Sequence, residues 1–107
     1  MEDYRTFEDL ECWQQCRKIR KRVESFCKSL PKEEKFRLVD QMIRCARSST
    51  ANIAEGDGRY HYKENIQFCR MSRGSLFELI DHFICCVDND LITDSEYKSS
   101  RQEIESD

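Results

Sequence analysis

The most informative run in this chain is Ser49-Thr50-Ala51-Asn52-Ile53-Ala54-Glu55-Gly56, at positions 49–56. Most of its side chains are too small to hold two helices apart, so the backbones of neighbouring helices can approach each other closely. The last residue, glycine, is typical of the left-handed stop that ends many helices. The run therefore predicts a helix that lies at the centre of a packed bundle and ends at Gly56.

The composition of the chain favours a single all-helical domain. A length of 107 residues is enough to bury one core, so we expect one domain over residues 1–107. Three glycines and one proline are too few for the many turns of an all-β protein. Charged residues make up 36% of the chain and hydrophobic residues 38%, a mixture that suits helices with one solvated face and one apolar stripe.

The sequence contains no pattern that is typical of a membrane or export segment. No apolar run reaches the roughly 20 residues that a membrane helix needs. The charged N-terminus, residues 1–5, lacks the apolar core of a signal peptide. We therefore expect a cytoplasmic protein with no membrane partner.

Apolar residues recur at spacings of three and four, which predicts four helices. Thr6 is the expected cap of the first helix, and Thr93 with Glu96 forms a capping box at the start of the fourth. Arg73 interrupts the stripe of the third helix, beside Gly74. The predicted helices cover about residues 7–29, 32–55, 62–88 and 94–106. Their predicted core stripes contain Cys12, Cys16, Ile19, Val23, Phe26, Leu30, Val39, Met42, Ala46, Ser49, Ile53, Ile66, Cys69, Leu76, Ile80, Phe83 and Val87, with Leu79 and Ile84 in support.

Short connections between these helices predict an all-α, antiparallel up-down-up-down four-helix bundle. At 1.5 Å per residue the fourth helix spans only about 20 Å, against about 40 Å for the third. The fourth helix cannot cover the whole groove that the other three leave. Either another subunit fills this groove or one end of it is exposed.

Seven cysteines raise the question of a disulfide framework or a metal site. Their number is odd, no export signal accompanies them, and they fall on the apolar stripes, so reduced core thiols are expected. His82, Cys85 and Cys86 share a helix face, but the paired ligands of a structural zinc site are missing. We predict no metal, no cofactor and no small-molecule substrate.

No constellation in the sequence favours catalysis. A cysteine nucleophile with His61 or His82 lacks a group that would orient the base. The paired carboxylates, Glu55 and Glu78, have no supporting histidine, lysine or nucleophile in the pattern. We expect no catalytic residues and no enzyme, and a small thiol or metal enzyme is a distant alternative.

Small polar residues and carboxylates on the second and third helices are interpreted as an interhelical network that fixes the register of packing. A buried carboxylate needs a partner, which Arg44, Arg47 or Arg73 can supply. The predicted members of this structural network are Ser49, Asn52, Glu55, Arg73, Ser75 and Glu78.

The densest basic run, Arg17-Lys18-Ile19-Arg20-Lys21-Arg22, lies on the first helix. Ile19 points to the core, so the five bases are expected to fan over the outer face. Two interpretations remain open, a site that contacts the phosphates of nucleic acid and an ordinary solvated face. The net charge of -3 and the acidic residues 88–107 weigh against a strongly basic binder. The candidate nucleic-acid-binding residues are Arg17, Lys18, Arg20, Lys21, Arg22 and Lys28.

A second candidate for nucleic-acid contact lies at the start of the third helix. Tyr60, His61 and Tyr62 stand beside Arg59 and Lys63. Aromatic residues that alternate with bases can stack on unpaired nucleotides. Such residues also commonly fasten a loop to a core, and both interpretations remain open.

Several motifs together resemble the bacterial four helix bundle protein family, also called ribosomal-RNA intervening-sequence proteins. The similarity covers nearly the whole chain. Cys45 and Cys69 stand where the family usually has alanine or another apolar residue, and Thr50 stands where it usually has proline. The motifs are Phe7-Glu8-Asp9-Leu10 followed by Trp13, Pro31 with Glu33-Glu34, Gln41, the segment Ser48 to Gly56, and Gly74-Ser75-Leu76-Phe77-Glu78-Leu79.

The resemblance implies an antiparallel four-helix bundle that assembles as a ring-shaped homopentamer. Some members are encoded inside insertions of large-subunit ribosomal RNA genes. A related group serves as accessory protein to reverse transcriptases of diversity-generating retroelements, where a basic surface contacts nucleic acid. None is recognised as an enzyme.

We therefore expect a non-enzymatic oligomeric scaffold or adaptor. Its expected partners are its own copies, then RNA or DNA, or a nucleic-acid enzyme such as a reverse transcriptase. The alternative is a protein–protein interaction module with no nucleic-acid contact.

Overall fold

A computed structural model of the chain describes residues 6–58 and 62–106, and these form helices without any strand. The predicted all-α fold with four helices and a short last helix is confirmed. Short 3-10 turns cover Phe7–Asp9 and Lys32–Glu34, and a π-helical turn covers Lys35–Val39. The α-helices are α1, Glu11–Cys27; α2, Asp40–Asp57; α3, Tyr62–Asp88; and α4, Asp94–Glu105.

The first two helices begin later than the sequence suggested, because extended residues interrupt them. Thr6 accepts a hydrogen bond from the Glu8 amide, but this caps the 3-10 turn, and the extended backbone of Leu10 separates that turn from α1. Pro31 is also extended, with φ -60° and ψ 153°. The chain after it passes through two irregular turns before α2 begins at Asp40.

Gly56 does not end α2 in a left-handed conformation, so that prediction is wrong. The helix continues to Asp57, and no glycine in the described parts of the chain has positive φ. Gly56 is needed for space, because a Cβ atom added there would lie 2.7 Å from the Cβ of Phe68 on α3. The left-handed stop lies at the end of α3, where Asp90 has φ 56° and the Leu91 amide donates to the Cys86 carbonyl at 2.9 Å.

The core lies around α2, which packs against both α1 and α3. Its small residues are fully buried, since Ala46 and Ser49 have no exposed surface. From α3, Leu79 is fully buried and Phe83 lies 5.5 Å from the Phe26 ring, centroid to centroid. Small side chains at the centre thus bring the large side chains of both neighbours into one hydrophobic cluster.

Some residues of the predicted apolar stripes lie outside the core. Cys12 and Cys69 are exposed, and Ile84 and Val87 are exposed to 36% and 40%. Ser72, one residue before the predicted stripe position Arg73, is buried and takes its place. The buried face of α3 contains Ser72, Leu76, Leu79, Phe83 and Cys86, so it is rotated relative to the predicted stripe and leaves Cys69, Ile84 and Val87 at its edge.

α4 is held against α1 by a cluster of polar contacts around Arg22. The Arg22 guanidinium contacts the carboxylates of Glu96 and Glu103, each at 3.2 Å, and donates to Ser99 at 2.8 Å. Thr93 accepts from the Glu96 amide at 3.0 Å. Only this half of the predicted capping box forms as expected, because the Glu96 carboxylate is used by Arg22 and Ser100.

None of the helices within residues 6–58 and 62–106 meets the requirements for crossing a bilayer. Each of them is either too short or too polar to do so.

Candidate assembly and nucleic-acid surfaces

The predicted gap beside the short fourth helix is present as a groove along α3. α4 has 12 residues and α3 has 27, so they span about 18 Å and 40 Å. At the end of α4, next to Ile104, lies a concavity of about 390 Å³. A second one of about 390 Å³ continues towards the start of α3 and shares Cys69 and Arg73 with the first. We call this pair of concavities the α3 groove; it is lined chiefly by Cys12, Ile66, Cys69, Arg73, Phe77 and Ile104.

The rim of the α3 groove is apolar and exposed. Phe77 is 52% exposed, and Ile84, which is 36% exposed, lies beyond the groove lining, seven residues further on the same helix face. The Arg73 guanidinium lies over the Phe77 ring, 5.4 Å from its centroid. Phe77 therefore presents an aromatic side chain to solvent at the edge of the groove.

On its other side, α3 joins α2 through small hydroxyl side chains. Ser75 donates to Ser48 Oγ at 2.9 Å, and Asn52 donates to the same oxygen at 2.9 Å. One turn away, Ser72 donates to the backbone carbonyl of Ser49 at 2.8 Å. We call this surface the α2–α3 seam. In the described residues every buried side-chain nitrogen or oxygen has a hydrogen-bond partner.

The predicted polar network is only partly brought together in the seam. Ser49, Asn52 and Ser75 take part in it, through Ser48 and Ser72, which were not predicted. Arg73 lies on the groove side of α3 instead. Glu55 and Glu78 are both exposed. The carboxylates are therefore not the buried charges that the sequence suggested, and hydroxyl groups connect the helices.

Glu78 belongs to a separate cluster with Cys45 and His82. Its carboxylate lies 3.3 Å from the His82 ring nitrogen. Burial, and then the neighbouring Glu78 carboxylate, raises the pKa of the Cys45 thiol to about 12. Hydrogen bonds from Cys45 and then His82 lower the pKa of Glu78.

The buried thiols elsewhere in the core have little nucleophilic character. All seven cysteines are present as thiols. Burial raises the pKa of Cys27 to about 11 and that of Cys86 to about 12. Because the thiolate is the reactive form, these groups behave as core side chains at neutral pH.

Four of the six candidate nucleic-acid-binding residues form an exposed strip along α1 and the residue that follows it, Lys28. Arg17, Lys21 and Lys28 share one helix face, and Lys18 lies next to it. The Arg17 guanidinium lies over the Trp13 ring, 5.7 Å from its centroid. We call these four residues the basic strip.

The other two candidates turn towards the bundle. Arg20 donates to Thr50 Oγ1 on α2 at 2.9 Å, and Arg22 is held by the carboxylates of α4. The five bases therefore do not all fan over the outer face, because two guanidinium groups find partners on the neighbouring helices. Tyr60 and His61, the aromatic candidates, lie outside the described residues, as does the side chain of Tyr62.

The chain as a whole is similar to one family of known proteins. Curated proteins gave no match. The profile of the 23S rRNA-intervening sequence protein family matches residues 8–106, which include all four helices and both surfaces described above. The chain therefore belongs to the 23S rRNA-intervening sequence protein family.

Proposed function

We propose that the protein is a non-enzymatic scaffold or adaptor that assembles from several copies of this chain. The observation that carries the proposal is the α3 groove. It is an apolar concavity left by the short α4 and bordered by Phe77, which is 52% exposed. A second copy is a suitable occupant because every copy carries the same groove and the same exposed side chain, so that one type of contact can be repeated around a ring.

The proposed binding of nucleic acid depends on the basic strip. Its four bases lie on a helix face away from the core, and repetition in a ring would present one strip per subunit. Contacts that are weak singly then add through multivalency. A ring of five, as the family resemblance implies, would present a nucleic acid or a reverse transcriptase with five equivalent basic surfaces.

Salt-dependent binding tests this part of the proposal. Anisotropy of labelled single-stranded RNA, duplex RNA and DNA is measured for the wild type and for the triple variant Arg17→Gln, Lys18→Gln and Lys21→Gln. The matched control makes the same change in charge at three exposed bases before α2, Lys32→Gln, Lys35→Gln and Arg37→Gln.

We expect nucleic acid to bind more weakly to the strip variant and equally well to the control variant. On duplex DNA the slope of log K against log salt should become shallower by about 0.9 for each phosphate that the variant no longer neutralises. Equally weakened binding in both variants would show only an effect of net charge. If the wild type binds no nucleic acid at low salt, the proposed nucleic-acid binding is wrong.

A protein–protein interaction module without nucleic-acid contact is the second candidate. It is favoured by the inward positions of Arg20 and Arg22, which reduce the exposed bases on α1, and by the net charge of -3. A wild type that assembles and binds no nucleic acid would support this candidate.

A further inference from the structure

A sulfur, an oxygen and a nitrogen ligand meet between α2 and α3, at one end of the seam. Cys45 on α2 and Glu78 and His82 on α3 each offer one ligand atom, and these atoms all lie within 4.8 Å of one another. Glu78 and His82 are one helical turn apart, with carboxylate oxygen and ring nitrogen at 3.3 Å. Cys45 approaches from the other helix, so the cluster joins the two helices.

We infer that Cys45, Glu78 and His82 form a binding site for a divalent transition metal ion, with Zn²⁺ as its natural occupant. Thiolate, imidazole and carboxylate are the three protein ligands that zinc uses. The site is distinct from the α3 groove and the basic strip, and it does not rest on the proposed function.

The spacing of the three ligand atoms suits this ion. Zinc bond lengths of about 2.0–2.3 Å in a tetrahedron place neighbouring ligand atoms about 3.4–3.6 Å apart. The Glu78–His82 pair already has nearly this separation. Small rotations of the Cys45 and Glu78 side chains would bring the third atom within range, while the closely packed seam keeps the two backbones in place.

The charges and the exposure of the cluster also suit a metal ion. A thiolate and a carboxylate balance the two positive charges of the ion, and a neutral imidazole completes the set. Cys45 is 5% exposed, whereas the side chains of His82 and Glu78 are 15% and 56% exposed. The site is therefore closed on the core side and open towards solvent, which leaves a fourth position for water or another donor.

The competing interpretation is a helix-surface ion pair that accepts a hydrogen bond from a buried thiol. That interpretation accounts for Glu78 and His82, which form a common i,i+4 pair. It assigns Cys45 the role of a hydrogen-bond donor to Glu78 and gives the cluster no ligand. Metal binding would replace the thiol proton and use all three groups at once.

Titration with Co²⁺, followed by absorption, tests the inference. Tetrahedral cobalt bound to a thiolate gives a near-ultraviolet charge-transfer band and strong visible d–d bands. The wild type should show these bands with a stoichiometry of one ion per chain, and Zn²⁺ should abolish them by displacement.

Variants identify the ligands. Cys45→Ser should lose the charge-transfer band, and His82→Gln should weaken binding by more than the roughly 10- to 100-fold that loss of an outer partner costs. Cys69→Ser, which removes an exposed thiol on the groove side of α3, should leave both the band and the affinity unchanged. Circular dichroism of the metal-free proteins checks that each variant keeps its helix content.

Two results would overturn the inference. One is the absence of the charge-transfer band in a folded wild type. The other is a band that survives Cys45→Ser or disappears in Cys69→Ser, because the ion would then be bound by other thiols. If Cys45→Ser fails to fold, the result with His82→Gln decides, since that side chain lies at the surface of the site.

Discussion

The two sides of α3 have opposite characters. Towards α2, the seam is closed by side chains as small as glycine and serine, and the backbones come so near that Gly56 cannot carry a Cβ atom without a clash. Towards α4, the same helix exposes Phe77 and borders an apolar groove. One side is thus packed against a neighbouring helix, and the other leaves Phe77 and an apolar groove uncovered by the described residues.

The largest expected difference between the two sides comes from removing one large side chain from each. Leu79→Ala deletes a fully buried side chain and should lower the free energy of unfolding by about 2–5 kcal/mol, because it leaves a cavity. Urea unfolding followed by circular dichroism measures this loss, which should not depend on protein concentration.

Phe77→Ala is the matched change on the groove side. Since Phe77 is 52% exposed, its loss should act on association rather than on the core. The apparent destabilisation should therefore grow with protein concentration, as expected for a change in a linked assembly. Phe77→Ala could instead lower the free energy of unfolding as much as Leu79→Ala does, at every protein concentration. That result would contradict the difference that we assign to the two sides of α3.

A smaller effect is expected from adding a methyl group to each of two helical glycines. Gly56→Ala places a Cβ atom 2.7 Å from that of Phe68, so overpacking should lower the free energy of unfolding by about 1–2 kcal/mol in spite of the better helix propensity. Gly74→Ala on the exposed face of α3 meets no atom within 4 Å and should raise it by about 0.5–1 kcal/mol. Thermal unfolding of both variants checks that the two changes in stability have opposite signs. A gain in stability in both variants would show that the seam has space for a Cβ atom at Gly56.

The smallest effect is expected where α4 docks. Arg22→Gln removes contacts with Glu96 and Glu103, and should cost about 1 kcal/mol because the guanidinium is only partly exposed. Arg101→Gln removes the exposed pair with Glu105 and should have a smaller effect, because solvent screens that pair. If urea unfolding shows the same loss of stability for Arg22→Gln and Arg101→Gln, the Arg22 cluster does not hold α4 to α1.

The spacing of apolar residues and the expected helix lengths are enough to predict most of the fold. Spacings of three and four predicted four helices, the small-residue run located the closest helix contact, and the short last helix predicted the groove. The same pattern assigned Gly56 to a left-handed stop, because a glycine near a helix end is compatible with either a turn or a close approach. Only the position of Phe68 on the neighbouring helix distinguishes the two.

The site residues were less predictable, because they depend on how helices face each other. Arg22 was placed outside since its carboxylate partners lie more than 70 positions away, on α4. The pair Glu78 and His82 is visible in the sequence at a spacing of four. Its link to Cys45 depends on the register of α2 against α3, and a shift of one turn would separate the atoms.

The mass of the particle in dilute solution tests the central claim, that a sister copy covers the α3 groove. Light scattering of the wild type should give a multiple of the 12.9 kDa chain mass, and five chains under the proposed ring. Phe77→Asp should reduce this mass to 12.9 kDa with unchanged helix content, whereas Phe36→Asp, at a residue that is 85% exposed and outside the groove lining, should retain the assembly. A wild-type mass of one chain at all concentrations, or dissociation caused by Phe36→Asp alone, would contradict the claim.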